Sequence, residues 1–125
     1  MFGDAGNDQI YAGVDDDGND TLAGGEGLDI LSGGSGDDSI GGGNGSDTIF
    51  GGDGNDIIFD AGFGFETVTA DNGNRFFGGD GNDQITGNNG GNDLLGGGAG
   101  FDIIRGLGGN DQIFGSLEDD TLSGG

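Results

Sequence analysis

An apolar residue, flanked on each side by a single outward-looking position, returns about every nine residues along this chain. These apolar positions fall at Ile10, Leu22, Leu31, Ile40, Ile49, Ile58, Val68, Phe77, Ile85, Leu95, Ile104, Ile113 and Leu122, at intervals of 12, 9, 9, 9, 9, 10, 9, 8, 10, 9, 9 and 9. Each sits in a stretch only three residues long, such as Thr48-Ile49-Phe50 or Gln112-Ile113-Phe114. Alternation there sends the central side chain to one face and its neighbours to the other. The residues between these stretches are rich in glycine, which permits positive φ and tight turns. Each unit therefore predicts a turn followed by a very short strand. A strand that short cannot stand alone and must stack on copies of itself. Two units per coil send successive strands to opposite sheets, so the pattern predicts an all-β parallel solenoid with two short strands per 18-residue coil. One inner ladder then holds Ile10, Leu31, Ile49, Val68, Ile85, Ile104 and Leu122. The facing ladder holds Leu22, Ile40, Ile58, Phe77, Leu95 and Ile113. Six and a half coils at about 4.8 Å each predict a rod about 30 Å long.

The polar positions repeat as strictly as the apolar ones. Residues 24–32 read GGEGLDILS, 33–41 GGSGDDSIG, 42–50 GGNGSDTIF and 51–59 GGDGNDIIF. They share the frame G-G-x-G-x-D-x-U-x, with U apolar, and we number its positions 1 to 9. About thirteen such units fill residues 1–125 as a single roll, with irregular stretches at 1–20 and 60–77.

Composition changes the picture in two ways. The chain has 36 Gly, no Pro, Cys, His or Trp, and a formal charge of −22. Low hydrophobicity with high net charge is ordinarily the mark of disorder, and the strict periodicity is what argues against it. The missing residues exclude a Ser-His-Asp triad, a cysteine nucleophile, a histidine zinc site and a disulfide framework, so no enzymatic activity is expected. A chain this negative repels phosphate backbones and anionic membrane surfaces, so neither nucleic acid nor lipid is an expected partner. No apolar run approaches the roughly 20 residues of a membrane-spanning helix. Met1-Phe2-Gly3-Asp4 has neither the basic residue nor the apolar stretch of a secretory signal.

Position 6 carries the chemistry. It is Asp at residues 8, 20, 29, 38, 47, 56, 83, 93, 102, 111 and 120, with Glu66 and Arg75 as exceptions. Stacking the strands stacks these carboxylates, which repel one another unless a cation lies among them. An all-oxygen donor set selects a hard ion. Flexible glycine loops offering carbonyls beside carboxylates suit calcium better than magnesium with its rigid octahedron.

This nonapeptide resembles the calcium-binding repeat of the RTX (repeats-in-toxin, hemolysin-type) family, whose signature is G-G-x-G-x-D-x-U-x, and the likeness spans about residues 3 to 123. The resemblance implies a right-handed parallel β-roll with calcium ions between stacked turns. In that family, unit n supplies carbonyls 2 and 4 and its Asp, and unit n+2 supplies carbonyls 1 and 3 and its Asp. Carried over, one implied site uses Gly25, Gly27 and Asp29 with Gly42, Asn44 and Asp47. Another uses Gly34, Gly36 and Asp38 with Gly51, the backbone of Asp53, and Asp56. The same rule adds Asp8, Asp20, Gly33, Ser35, Gly43, Gly45, Glu66, Gly79, Gly81, Asp83, Asp93, Gly97, Gly98, Ala99, Gly100, Asp102, Gly106, Gly108, Asp111 and Asp120. Seven pairings have Asp at both ends: 8/29, 20/38, 29/47, 38/56, 83/102, 93/111 and 102/120. The two Glu66 pairings raise the expected number of Ca2+ ions to between seven and nine. Seven ions would bring the formal −22 to −8.

The breaks in the frame carry their own expectations. Asp15-Asp16-Asp17 enlarges the turn before Asp20, which is expected to distort the 20/38 site. Arg75 falls between Asp56 and Asp93 in the Asp slot, where its guanidinium would bridge those carboxylates in place of calcium; the plain alternative is a solvated loop arginine. Ile57, Phe76 and Leu94 precede U in alternate units and are expected to stack on one outer face, a surface for self-association or for docking an adjacent domain. The family's members are typically exported by bacteria, so a secreted or cell-surface calcium-triggered module is expected. It would be part of a toxin, hydrolase, adhesin or surface-layer protein. The alternative, an ice- or surface-binding roll, calls for an outward threonine row that the turns lack. The chain stops at Ser123-Gly124-Gly125 in mid-repeat and is read as a fragment or module of a longer array.

Overall fold

The computed structural model describes residues 1–13, 17–60 and 73–125. These contain thirteen strands and no helix: β1 (Phe2–Ala5), β2 (Gln9–Tyr11), β3 (Thr21–Glu26), β4 (Ile30–Ser35), β5 (Ser39–Asn44), β6 (Thr48–Asp53), β7 (Ile57–Phe59), β8 (Arg75–Asp80), β9 (Gln84–Thr86), β10 (Leu94–Ala99), β11 (Ile103–Arg105), β12 (Gln112–Ser116) and β13 (Thr121–Ser123). The odd strands form one seven-stranded sheet and the even strands a six-stranded one, each in chain order. Every pairing is parallel. Successive strands thus alternate between sheets, as two units per coil require.

Position 8 fills the space between the sheets. Leu22, Ile40, Ile58, Ile85 and Ile104 are buried on the odd sheet, and Ile10, Leu31, Ile49, Phe76 and Leu95 on the even one. Several strands run to six residues, longer than the three the sequence predicts, yet the core is one side chain deep on each sheet, because the next inward position is a glycine such as Gly24, Gly33, Gly42 or Gly51. Ile113 packs partly against it.

Coil length explains where the expected ladders hold and where they fail. Register steps are 18 residues from Thr21 to Ser39 and from Ile30 to Thr48. The step is 21 across the enlarged turn before Asp20 (Gln9 to Ile30). It is 27 from Thr48 to Arg75 and from Ile57 to Gln84, and 19 from Arg75 to Leu94. The 27-residue coil holds one extra nonapeptide length. Counting by nines gives Val68 a rung of its own and assigns every later residue to the wrong sheet. In the structure Ile58 neighbours Ile85, and Leu95 lies on the sheet of Ile49. Val68 falls outside the described residues.

The same shift corrects three further expectations. Phe76, not Phe77, is the inward residue: Phe76 is fully buried and pairs with Ile49. Phe77 turns outward and stacks on Phe50, with ring centroids 5.6 Å apart. Ile57, Phe76 and Leu94 therefore share no outer face, since Ile57 is on the odd sheet, Leu94 on the even sheet, and Phe76 inside. Phe76→Ala is expected to cost about 3–5 kcal/mol, as for other buried phenylalanines. Phe77→Ala should cost only about 0.5–1.5 kcal/mol for the lost ring pair. Urea titrations of both variants in saturating calcium measure the difference, and equal costs would contradict the register.

Candidate metal centre

The turns lie in two rows, one along each edge of the sheets, and position 6 runs down each row as a hydrogen-bonded ladder. In the first row the N–H of Asp8 donates to Asp29 Oδ1 at 2.8 Å, Asp29 to Asp47 at 2.9 Å, Asp47 to Asn74 at 2.8 Å, Asn74 to Asp93 at 2.7 Å and Asp93 to Asp111 at 3.0 Å. In the second row Asp20 donates to Asp38, Asp38 to Asp56 and Asp56 to Asp83, each at 2.8 Å. Asp83 then donates to Asp102 at 2.9 Å and Asp102 to Asp120 at 3.0 Å. All seven expected Asp pairs are brought together. The 20/38 pair has the same ladder bond as the others despite the enlarged turn before it.

One pairing and one member were missed from the sequence. Asp56 pairs with Asp83, and Asn74 fills the slot given to Arg75. Arg75 lies one residue on, at an exposed position beside Thr48 and Leu94, and does not bridge Asp56 and Asp93. The signal was present in the glycines: U lies two residues before each Gly-Gly pair, so counting back from Gly78-Gly79 gives Phe76 and Asn74. Glu66 falls outside the described residues.

Each ladder bond uses one carboxylate oxygen and leaves the other facing inward. Oδ2 of Asp8, Asp29, Asp56, Asp83, Asp102 and Asp111 is buried without a hydrogen-bond partner among the described residues. A buried carboxylate oxygen left in this way is costly unless a cation or a donor meets it. Backbone oxygens surround it. A methyl group built on Gly33 would overlap Asp38 Oδ2 and lie 2.8 Å from the Gly51 carbonyl of the next coil. Built on Gly24, it would overlap Asp29 Oδ2 and lie 2.5 Å from the Gly42 carbonyl; built on Gly78, it would overlap Asp83 Oδ2 and lie 2.6 Å from the Gly97 carbonyl. From the coil below, the carbonyls of Gly34 and Gly36 point at Gly52 and Gly54. The position-3 carbonyl of Asp53 faces back across the same gap and accepts the Gly36 N–H at 2.8 Å. The gaps between these stacked turns are thus lined by oxygen. Among the described residues no three acidic side chains gather at one point, so the backbone must complete any cation's shell.

Glycine is needed for this close approach, and at positions 2 and 4 for conformation as well: Gly34 and Gly36 have φ of 113° and 121°. A second, unexpected ladder braces the turns from outside. In the second row the side-chain oxygens of Asn19, Asp37, Asn55 and Asn82 accept N–H groups of Asp37, Asn55, Asn82 and Phe101 at 2.8–3.0 Å. Position 5 had been read as a free position, because its role depends on which residue lies one coil away.

Burial raises five of the position-6 carboxyls. Asp83 is pushed up to about 7, mainly by burial, with the Asp56 N–H opposing and the charges of Asp56, Asp102 and Asp80 adding. Asp56 rises to about 6 for the same leading reason, against the Asp38 N–H. Asp29, Asp93 and Asp102 also rise through burial.

A two-sheet solenoid with oxygen-lined gaps between glycine turns defines a class of protein, the calcium-binding β-roll. The family model for the RTX calcium-binding nonapeptide repeat matches residues 1–17, 16–49, 42–59, 68–98 and 88–122, and the chain belongs to that family. No characterised protein and no solved structure matches the chain significantly.

Two measurements test the site. The folded values near 6 and 7 lie above the ordinary 3.8, so the metal-free roll binds protons that the unfolded chain does not. Its stability is greatest below about pH 4 and is lost as pH rises through about 7. In chelator, the strand signal in circular dichroism should therefore grow on acidification from about pH 7 to pH 4, and the increment added by calcium should shrink over that interval. The second variant is Gly78→Ala, whose methyl would occupy an oxygen-lined gap without requiring positive φ. It should lose one bound calcium by native mass spectrometry, whereas Gly96→Ala, which meets only the Phe77 ring, should keep the full number.

Proposed function

We propose that this calcium-binding structural module is a folding switch of an exported protein, unfolded where calcium is scarce and ordered at the millimolar calcium found outside cells. The observation that carries the reading is the pair of carboxylate ladders, each inward oxygen facing backbone carbonyls and, in six of the aspartates, meeting no internal donor among the described residues. Each calcium would be held by carbonyls 2 and 4 and the Asp of one turn, with carbonyls 1 and 3 and the Asp of the turn stacked on it. Eight rungs have Asp at both ends: 8/29, 29/47, 93/111, 20/38, 38/56, 56/83, 83/102 and 102/120. Eight divalent ions would bring the formal −22 to −6.

The unfolded, metal-free chain is a self-repelling polyanion. Its preformed sites exist only when turns are stacked, so binding and folding are one event. Individual affinities near about 10⁻⁴–10⁻³ M, as in extracellular calcium modules, place the transition between intracellular and extracellular calcium. Because each ion touches two coils, nearest-neighbour coupling makes the response steep. No helix in the described residues is long and apolar enough to cross a membrane. The outer columns of the sheets carry no repeated threonine; one reads Thr21, Ser39, Ile57, Gln84, Ile103, Thr121, which gives ice or a flat crystal surface nothing regular to match.

A calcium titration followed by circular dichroism at about pH 8 tests this, with magnesium as the control. The expected result is an unfolded spectrum in chelator, a sigmoidal gain of strand signal in the sub-millimolar to millimolar range, and no comparable gain with magnesium. A strand-rich spectrum that persists in excess chelator would refute it.

A further inference from the structure

One rung departs from all the others in the chemistry of its inward group. At position 6 of the 27-residue coil, Asn74 is fully buried, and its Oδ1 accepts the Asp47 N–H at 2.8 Å as an aspartate would. That bond fixes the amide's orientation, so the inward atom is Nδ2, a donor with no lone pair to offer a cation. It donates to Asp60 Oδ1 at 2.5 Å. Asp60 occupies position 1, which is Gly24, Gly42, Gly87 and Gly106 in the other turns of this row. A side chain built at any of those glycines runs into the inward Oδ2 of that turn's own aspartate. Asp60 is 4 % exposed, so its carboxylate lies inside the turn row rather than in solvent. On the far side of the same gap, Asp93 Oδ1 accepts the Asn74 N–H at 2.7 Å and its Oδ2 accepts the Asn88 N–H at 2.9 Å.

We propose that the rung between Asn74 and Asp93 holds no calcium and is closed by an internal clasp, the Asn74 amide on the Asp60 carboxylate. This rests on the calcium reading given above. The clasp exchanges the two ends of the standard turn, moving the carboxylate from position 6 to position 1 and putting a donor where a ligand oxygen belongs. It also fits the chain length. Positions 1 and 6 are five residues apart in a regular turn but fourteen apart here, from 60 to 74. A hydrogen bond between residues 60 and 74 does at this rung what an ion does elsewhere. The first row is therefore split into a block at Asp8, Asp29 and Asp47 and a block at Asp93 and Asp111. The second row runs unbroken from Asp20 to Asp120.

Native mass spectrometry in calcium counts the ions directly. Asp60→Asn keeps an acceptor for the Asn74 amide, Asp60→Gly restores the glycine of the other turns in this row, and Asp102→Asn serves as a control within an Asp–Asp rung. Both Asp60 variants should carry as many ions as the wild type, or one more in Asp60→Gly where the gap has been emptied, while Asp102→Asn should carry at least one fewer. A count one lower in either Asp60 variant, with Asp102→Asn also lowered, would make Asp60 a calcium ligand and overturn the clasp alone. A count unchanged in Asp102→Asn would remove the calcium ladder itself, and the clasp with it.

Discussion

The structure depends on a conflict between geometry and charge. A roll this thin brings identical positions of successive coils to neighbouring-strand distance, so an acidic residue at one position becomes a column of acidic residues. Half of each carboxylate is used well, because Oδ1 takes the backbone N–H of the coil before it. The other half is turned into a gap lined with carbonyl oxygens. Six of these oxygens meet no side-chain donor among the described residues, and the Asn74 amide serves one rung alone. A divalent ion can meet them, and it stitches two coils together while neutralising two charges. On the proposed reading, folding, metal binding and charge balance are one requirement seen from three sides.

Glycine serves this arrangement in two distinct ways. At positions 2 and 4 it supplies backbone conformations that other residues adopt only with strain. At position 1 it supplies absence: any side chain would enter the oxygen-lined gap. The distinction matters because it identifies Asp60. A residue with a side chain at position 1 must either block the gap or replace what fills it, and the Asn74 amide shows which. Among the described residues three that are not glycine have positive φ, Asp4 at 74°, Leu107 at 72° and Ser116 at 120°, all at position 2.

The long coil shows how such a roll accommodates insertion. Extra residues enter at turns: three before Asp20, nine between Asp60 and Asn74, and one between Gly87 and Asp93, as the 21-, 27- and 19-residue steps record. The strands on either side keep their register because the inward apolar residue and the position-6 ladder are both indifferent to what the turn does in between. The one large insertion coincides with the one described rung whose position 6 is an amide, Asn74, and not a carboxylate.

Much of this was legible in the sequence. The period of nine, the alternation around U, and the recurring Asp at position 6 determined a two-sheet parallel roll, the preference for calcium, and the identity of its core except at the long coil and at Leu122, which lies on the end strand and is exposed. These follow from local rules repeated in every unit, so periodicity alone reveals them. The assignment of strands to sheets after residue 60 did not follow, because an insertion of one repeat length leaves the period intact while exchanging the faces. The pairing of Asp56 with Asp83, the inward turn of Phe76, the exposure of Arg75 and the contact between Asp60 and Asn74 are all relations between residues 14 or more apart in the chain. Only stacking decides which coil lies next to which, and with it which side chain meets an ion, a partner or water.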